Sequence, residues 1–517
     1  MPATHSKGFA SFVMLSALAM SAHAQTAAPP EHASARGLER YLGDRFSSNE
    51  VSNPGLARIA PARRSNTAVD TLRFWNEVAV NASGLDHTPL AAGETRVFGE
   101  QLGPGRASRA MAIVHIAMFD AANAVLGGYR SYTGIRRVKP TASAEAAIAQ
   151  AAHDTLIVMF PSQKAAFDEL LAQELSQLRL RDRLALEIGA RTGSLAARAI
   201  LLRRRNDGGV QDDPLMGTEY VPDDQPGIWR QDPISQAPIA LGKDWGKVTP
   251  FVLRSGSQFR VPLPPPMGSA AYTDAFLEVL ALGGDGRNTP TQRTADQTEI
   301  GIYWAYDGTP SLCAPPRLYN QIAIEVSNGI SDVMKLARLL ALVHTAMADA
   351  GIAVWDSKYH YNFWRPVTGI READEGTGPS GYGDGNPATH GDAGYSPLGA
   401  PASNLTGPNF TPPFPAYPSG HAGFGGALFQ ILRNVYRTDR VAFTFTSDEL
   451  NGVTTGNDGV VRPLHPRSFT SFSQAEEENG QSRIYLGIHW SFDKTEGISQ
   501  GRRVANFVYR NAFQPAL

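Results

Sequence analysis

Cysteine is nearly missing from this chain of 517 residues, which contains Cys313 alone. No intrachain disulfide can therefore form. A chain of this length can bury a core large enough to be stable without covalent cross-links. We interpret Cys313 as a buried or tolerated thiol, because no catalytic motif surrounds it in the sequence.

The chain also lacks an excess of charge of either sign. Its 47 Lys and Arg residues nearly balance 49 Asp and Glu residues, which leaves a net charge of −2. Proteins that bind nucleic acids through their overall electrostatic field carry a strong positive excess. We therefore expect no nucleic-acid partner, and we expect any cluster of cations to have a local role.

Long apolar runs are scarce, and the N-terminus holds the most conspicuous one. Lys7 precedes an apolar run over residues 9–20, and Ala22-x-Ala24 has the small residues of a cleavage site. The run is too short to span a bilayer and is typical of a signal peptide. We predict that residues 1–24 are removed, which places the mature chain in the periplasm or outside the cell; an uncleaved anchor is the alternative. We expect no integral membrane segment in the mature chain.

Residues 25–65 are rich in Ala, Pro, Arg and Ser and predict an extended N-terminal arm. Apolar residues then recur with the period of an α-helix over long stretches, whereas residues 206–270 lose that period and fill with Gly, Pro and Asp. The predicted helices are 69–80, 106–125, 143–159, 162–180, 184–203, 273–281, 289–303 and 318–328. We predict an all-α protein with long irregular loops and little β structure.

An internal repeat favours two helical bundles side by side. The spacing His-x-x-Met-x-Asp occurs at His115 and again at His344, each time inside an apolar helical run. Duplication and chance similarity both explain the repeat. We predict a first bundle with its connection in residues 66–270 and a second bundle in residues 271–517, and we interpret both histidines as satisfied core residues.

Three motifs in the last third of the chain point to an anion. Lys358 and Arg365 are seven positions apart, which would place them on one helix face about 10 Å apart. Pro366 disfavours a helix at the residue before it, so the Arg365 guanidinium is expected at a helix end. An arginine can bind two oxygens of an oxoanion at once, and a lysine adds a point charge.

The second motif, 418–421, reads Pro-Ser-Gly-His before a run with helical period. Ser419 and Gly420 are then expected at a helix N-terminus, where free N–H groups and the helix dipole favour an anion. Glycine allows the backbone to approach closely, and His421 can give or take a proton there. Simple helix capping also explains Ser419.

The third motif combines Arg483, His489 and Asp493. We predict a capping box at Ser473 and Glu476 that opens a helix running through Arg483 towards His489. Asp493 follows His489 by four positions and can orient its imidazole. No carboxylate cluster for a metal and no nucleophilic serine triad accompanies these motifs, so the sequence indicates a bound tetrahedral oxoanion, phosphate or its mimic vanadate.

Together the motifs resemble the superfamily of vanadium haloperoxidases and type 2 phosphatidic acid phosphatases. Its pattern of Lys-x6-Arg-Pro, Pro-Ser-Gly-His and Ser-Arg-x5-His-x3-Asp is filled at every position, within residues 300–500. The aromatic residues Trp355 and Phe414, close to these motifs, resemble those of the fungal chloroperoxidases. The resemblance implies vanadate as cofactor and hydrogen peroxide, halide and small organic molecules as partners; a homodimer is compatible with it.

The resemblance also implies a role for each residue. His489 would coordinate vanadium, His421 would act as acid and base, and Lys358 would polarise the peroxide. Asp307 is expected to pair with Arg365. The residues implied to bind the oxygens of vanadate are Lys358, Arg365, Ser419, Gly420, His421 and Arg483. The residues implied to line the halide pocket are Trp355, Phe414 and Pro412.

Two other functions remain open at this point. An exported acid phosphatase of the same superfamily would use His489 as the nucleophile and His421 as the acid for the leaving alcohol. Because phosphate and vanadate share shape and charge, the anion site alone does not separate this alternative from a haloperoxidase that oxidises bromide and chloride. A binding or scaffold protein with a defunct site is the third hypothesis.

Overall fold

A computed structural model describes residues 37–48, 67–91, 93–138, 141–179 and 182–516. The predicted signal peptide, residues 1–24, lies outside the described residues, and so does most of the predicted arm. Within the arm, residues 37–48 are described and include one helix and one short strand.

Helices are the dominant regular structure of the described chain, and long irregular loops connect them, as predicted. Its α-helices, in chain order, are α1 Gly37–Leu42, α2 Ala68–Asp86, α3 Gly103–Leu126, α4 Ala144–Met159, α5 Lys164–Arg179, α6 Arg183–Arg204, α7 Ala270–Leu282, α8 Ala295–Tyr303, α9 Pro315–Val326, α10 Val333–Tyr361, α11 Pro366–Arg371, α12 Gly420–Tyr436, α13 Phe472–Tyr485 and α14 Ser491–Asn511. Strands are limited there to two antiparallel pairs: β1 Ser47–Ser48 with β2 Leu405–Thr406, and β3 Phe443–Phe445 with β4 Arg467–Phe469.

Side-chain caps explain several helix starts. Ser143 and Thr294 accept hydrogen bonds from the backbone of the first turns of α4 and α8. The predicted helix over 289–303 therefore begins later, at Ala295. Residues 206–270 form no α-helix up to α7, in agreement with their loss of periodicity.

The helices pack as two neighbouring bundles. Helix α3 packs with α4 and α6, α10 packs with α12 and α14, and α3 and α10 pack against each other between the two groups. Both α3 and α10 have the length and hydropathy of a membrane span, contrary to the sequence analysis, but 94% of each apolar window is buried within the protein. The domain limits given above stay a prediction.

The two bundles repeat each other in detail. His115 of α3 and His344 of α10 stack with ring centroids 3.9 Å apart. Each imidazole hydrogen-bonds an asparagine of a neighbouring helix, Asn76 on α2 or Asn320 on α9. The repeat extends to these helices, because residues 73–80 and 317–324 share the pattern Arg-x-x-Asn-[Glu/Gln]-[Val/Ile]-Ala-[Val/Ile]. His344 Nδ1 has no hydrogen-bond partner, so the interpretation of a fully satisfied histidine was wrong for that atom.

The repeat continues where each bundle presents a helix N-terminus. The cap residue of α4, Ser143, donates its N–H to the carbonyl oxygen of Ala185 at 2.9 Å. In the second bundle Ser419, the cap of α12, donates in the same way to Asp493 at 3.0 Å. Gly189 follows Ala185 by four positions, as Gly497 follows Asp493, and each glycine lies against the carbonyl oxygen of the cap serine. Both bundles therefore share one backbone arrangement.

Two predicted local structures were wrong. Helix α10 ends at Tyr361, and Arg365 has an extended backbone as the cap of α11, so Lys358 and Arg365 do not share a helix face. Helix α13 is capped by Ser471 and not by Ser473. Arg433 and Arg502 bind Glu476, the other member of the predicted capping box, because burial of its carboxylate requires cationic partners.

Candidate functional site: a buried oxoanion cavity

Four separate chain segments bring the predicted residues together at one small cavity, which Gly420, His421, Arg483 and His489 line directly. Helix α10 supplies Lys358, the start of α11 supplies Arg365, the first turn of α12 supplies Ser419 to His421, and the α13–α14 region supplies the remainder. The lining residues are Tyr41, Pro104, Asp307, Gly308, Ala314, Pro315, Trp355, Pro412, Pro413, Phe414, Gly420, His421, Phe424, Arg483 and His489.

His489 lies in the turn between α13 and α14, and not within a helix as expected, because α13 already ends at Tyr485. Its Nδ1 lies 2.8 Å from Asp493 Oδ2, and its Nε2 lies 2.9 Å from Nη1 of Arg365. A guanidinium only donates hydrogen bonds, so Nε2 must be the acceptor and Nδ1 must carry the proton. The ring therefore presents a lone pair on Nε2.

Burial, and then the charge of Arg365, hold the pKa of His489 well below its usual value. The imidazole is thus neutral at pH 7, and its lone pair on Nε2 accepts the hydrogen bond from Arg365. Burial raises the pKa of Asp493 to about 7, against the opposing effect of a hydrogen bond from the Trp490 N–H. Asp493 belongs to the first turn of α14, four residues after the imidazole that it orients.

Arg365 is fixed by backbone carbonyl groups. Its Nε donates to Phe414 at 2.9 Å, Nη1 donates to Ile488 at 2.9 Å, and Nη2 lies 3.3 Å from the carbonyl oxygen of Pro412. Burial lowers the pKa of this guanidinium to about 9. Arg365 makes no ion pair with Asp307, so that predicted pairing was wrong.

Lys358 is fully buried at the end of α10. Its Nζ donates to the carbonyl oxygens of Pro415 and Ala416, at 2.7 and 2.9 Å, and lies 5.0 Å from the centre of the Phe414 ring. Burial, and then the neighbouring Arg365, hold the pKa of the ammonium group well below its usual value. Such a lowered pKa indicates a site with too little negative charge for the cations it contains.

Arg483 has the clearest unused binding capacity. Its Nη2 pairs with both carboxylate oxygens of Asp307, at 2.7 and 2.9 Å, while its buried Nε and Nη1 have no hydrogen-bond partner. Burial raises the pKa of Asp307, and Arg483 opposes that rise. Since unpaired buried donors are costly, the free edge of this guanidinium is best explained by an anionic ligand.

The first turn of α12 adds backbone donors. Ser419 caps the helix and its Oγ lies 3.4 Å from the Ala422 nitrogen. The N–H groups of Gly420 and His421 make no hydrogen bond within the described chain, as is normal for the first turn of a helix. A Cβ at Gly420 would lie 3.4 Å from the Trp355 ring, so glycine keeps this wall of the cavity open.

His421 is placed for proton transfer. Its Nε2 donates to the carbonyl oxygen of Ala305, which leaves Nδ1 as the basic nitrogen of the neutral ring. Burial, and then Arg483, hold the pKa of His421 well below its usual value. The ring is neutral at pH 7 and can accept a proton from a ligand in the cavity.

The residues of the predicted halide pocket form one apolar wall. The rings of Trp355 and Phe414 lie 4.9 Å apart between centres, and Pro412 lines the cavity beside them. The indole N–H donates to Leu241 at 3.1 Å, so the face that Trp355 shares with Phe414 is apolar. Their role in halide binding stays a prediction.

Among the lining residues that the sequence did not predict, two lie far from the motifs. Tyr41 comes from α1, inside a segment interpreted as an extended arm, and Pro104 opens α3 in the first bundle. No motif contains either residue. Their proximity arises from tertiary packing between distant parts of the chain.

The donor set fits vanadate. No cluster of three or more His, Cys, Asp or Glu side chains suited to a metal ion occurs in the part of the chain that the structure describes. A tetrahedral oxoanion instead needs several N–H donors and, for vanadium, one nitrogen ligand. The two unpartnered N–H groups of Arg483 and the Nε2 lone pair of His489 supply both kinds of group.

Known proteins resemble the part of the chain that holds this cavity. Residues 338–516 match the family model of the VCPO second helical-bundle domain. The vanadium chloroperoxidase of Curvularia inaequalis is 39% identical over 259 residues, which are 44% of this chain. The chain spans 41% of the length of that curated relative.

Solved structures share the fold. A bacterial vanadium-dependent iodoperoxidase superposes with a TM-score of 0.68 at 23% identity, over 88% of this chain and 100% of that chain. A bacterial vanadium-dependent chloroperoxidase in its holo form superposes with a TM-score of 0.57 at 18% identity, over 79% and 93% of the two chains. The chain thus has the helical-bundle fold of these proteins, and its second bundle resembles the second helical-bundle domain of vanadium chloroperoxidase.

Proposed function

We propose that the protein is a vanadium-dependent haloperoxidase that uses hydrogen peroxide to oxidise bromide and chloride to hypohalous acid. The observation that carries this proposal is that two nitrogens of Arg483 without a hydrogen-bond partner in the described chain lie beside the same cavity as His489, whose Nε2 carries a lone pair that now accepts from Arg365. The match to the Curvularia enzyme supports it. We further propose that the protein acts in the periplasm or outside the cell.

Each cation has a defined task in this proposal. Lys358, Arg365 and Arg483, together with the N–H groups at the start of α12, bind the oxygens of vanadate, and His489 binds its metal through Nε2. When bound, vanadate supplies a Lewis acid that activates hydrogen peroxide for transfer of one oxygen to the halide. Backbone carbonyl groups already orient Lys358 and Arg365 for negative charge, so only the hydrogen bond from Arg365 Nη1 to His489 Nε2 would have to break when the site is filled.

His421 acts as the base and then the acid for the proton of hydrogen peroxide. Hydrogen peroxide must lose a proton as it binds, and the neutral ring can accept that proton on Nδ1. One peroxide oxygen leaves as water and the other joins the halide, which loses two electrons; one further proton from solvent completes the hypohalous acid. The proton held by His421 returns as water forms. The apolar faces of Trp355 and Phe414 offer a weakly hydrated halide a place to lose its water.

The test compares two activities of the purified full chain. With orthovanadate, hydrogen peroxide and bromide we expect bromination of a phenol dye, and we expect orthophosphate to suppress it by competing for the same cavity. The protein without vanadate is assayed in parallel for hydrolysis of a phosphate monoester. Hydrolysis without bromination would instead support the acid phosphatase. Absence of both activities would support a binding protein with a defunct site.

The His489→Ala variant should lose either activity, because it removes the only nitrogen assigned to vanadium or phosphorus. His465→Ala is the matched control, since that histidine is largely exposed and hydrogen-bonds Glu299. Full turnover in the His489→Ala variant would refute the role of this residue.

A further inference from the structure

A segment far away in the sequence covers the oxoanion cavity. Residues 37–48, which we call the N-terminal strap, consist of α1 and β1. Strand β1 pairs with β2, Phe46 packs edge-to-face on Phe410 with ring centres 5.8 Å apart, and Arg45 donates to Ile234 and Gln236. These contacts hold the strap over the C-terminal bundle.

Tyr41 of the strap lines the cavity, and its hydroxyl lies on the cavity wall. A Cβ built on Gly308 would come within 2.3 Å of the Tyr41 hydroxyl oxygen, and Gly308 has a φ of +86°. Only glycine allows both this backbone conformation and this close approach. Gly308 directly follows Asp307, the ion-pair partner of Arg483. The hydroxyl therefore lies near Asp307 and lines the same cavity as Arg483.

The Tyr41 hydroxyl has no hydrogen-bond partner within the described chain, although only 3% of the residue is exposed. Two other buried tyrosines have partners within the chain: Tyr303 donates to the carbonyl oxygen of Phe445 at 2.7 Å, and Tyr319 donates to that of His421 at 2.8 Å. The hydroxyl of Tyr41 stays open to the cavity, where it can donate a hydrogen bond to a ligand. The cavity it faces is the one that Arg483 and His489 line.

We propose that Tyr41 is a ligand-binding residue whose hydroxyl donates a hydrogen bond to the oxoanion held in this cavity. This inference rests on the oxoanion site of the proposed function and does not depend on which reaction occurs there. Burial, and then the nearby Asp307, raise the pKa of Tyr41, so the hydroxyl keeps its proton and acts as a donor. The strap thereby contributes a side chain to a site that otherwise belongs to the C-terminal bundle.

The test measures binding and needs no turnover. The vanadate-free full chain is titrated with orthophosphate by calorimetry, as wild type and as the Tyr41→Phe variant. We expect a Kd about tenfold higher in the variant, because one hydrogen bond to a charged ligand is lost. The thermal midpoint should not change, since the hydroxyl has no partner within the protein to lose.

Tyr436→Phe is the matched control. That hydroxyl donates to the carbonyl oxygen of Val326 at 2.9 Å, near the far end of α12. We expect this variant to lose stability and to keep the wild-type Kd for phosphate. An unchanged Kd in Tyr41→Phe, with or without lower stability, would overturn the inference and would leave the oxoanion site intact.

A second measurement covers the case in which the Tyr41→Phe variant does not fold. Phosphate added to the wild type should perturb the near-ultraviolet tyrosine spectrum, and the Tyr436→Phe control should show the same change. Absence of any spectral change at saturating phosphate would overturn the role of Tyr41. If the wild type binds neither phosphate nor vanadate, the oxoanion site and this inference fail together.

Discussion

Asp493 Oδ2 accepts the Nδ1–H of His489 at 2.8 Å, and both side chains are buried. The same carboxylate oxygen accepts the Trp490 N–H at 3.0 Å, so the acid is itself held by the first turn of α14. The hydrogen bond from His489 Nδ1 to Asp493 sets the tautomer of the imidazole, and the first turn of α14 sets the position of the carboxylate. Together they place the lone pair of the ring on Nε2.

Loss of this carboxylate should weaken vanadate binding. We expect Asp493→Ala to raise the Kd for orthovanadate by about 10- to 100-fold, because the imidazole loses its orientation and its favoured tautomer. Asp493→Asn should have a smaller effect, since its amide oxygen still accepts from Nδ1. Calorimetric titration with orthovanadate measures both. Equal affinities in wild type and Asp493→Ala would contradict this account.

The ion pair between Arg483 and Asp307 should make stability sensitive to anions. Removal of one member of a buried pair leaves the other charge without a partner, so we expect Asp307→Ala to lower the free energy of unfolding by about 3–5 kcal/mol. Orthophosphate should restore part of that loss, because it becomes the counterion of Arg483. Urea unfolding with and without phosphate provides the measurement.

Glu187→Ala is the control for this prediction. Glu187 forms an exposed pair with Arg183, and such pairs contribute less than about 1 kcal/mol. We expect only a small loss of stability, of equal size with and without phosphate. A phosphate effect of the same size in both variants would show that the rescue does not come from the cavity.

Anion binding should take up protons at alkaline pH. The pKa of Lys358 is lowered without a ligand, and an anion beside the ammonium raises it again. The bound state then holds more protons than the free state, so affinity must fall as pH rises. Titrations above about pH 8, where phosphate stays dianionic, isolate this effect.

Lys358→Met should bind phosphate more weakly and with a smaller pH dependence. Some dependence should remain, because burial lowers the pKa of Arg365 to about 9. Calorimetry in buffers of different ionisation enthalpy counts the protons directly. A wild-type affinity that stays constant over this pH range would contradict the prediction.

The repeated backbone arrangement provides a matched pair of glycine variants. A Cβ at Gly497 would lie 2.7 Å from the Ser419 carbonyl oxygen, and a Cβ at Gly189 would lie 2.3 Å from that of Ser143. We expect each alanine variant to lose about 1–3 kcal/mol of stability through overpacking. Only Gly497→Ala should also weaken phosphate binding, because only α12 presents its N-terminus to the cavity. Equal phosphate affinities in the two variants would argue against this link.

The sequence predicted the helices and the polar residues of the site because both leave local signals. Helical periodicity revealed α3 and α10, and the spacing of Lys358, Ser419 and His489 matched a known pattern. The sequence did not predict the ion pair between Arg483 and Asp307. That pair depends on how α13 packs against a loop more than 150 positions earlier in the chain. Tyr41 was missed for the same reason.

Local rules also failed where two signals competed. Ser471 and Ser473 both can cap α13, and the structure uses the first, while Ser473 donates to Asp439 at 2.7 Å. Lys358 and Arg365 have helical spacing, but Asn362 takes a left-handed conformation with a φ of 49° and ends α10 between them. Such breaks depend on packing beyond the window that spacing describes.

The first bundle keeps the bond between Ser143 and Ala185 although it has none of the anion-binding side chains. Helix packing alone therefore produces this backbone geometry, with no ligand to shape it. It follows that the corresponding corner of the second bundle is preorganised: an arriving oxoanion finds its helix N-terminus already in place and spends none of its binding energy on assembling it.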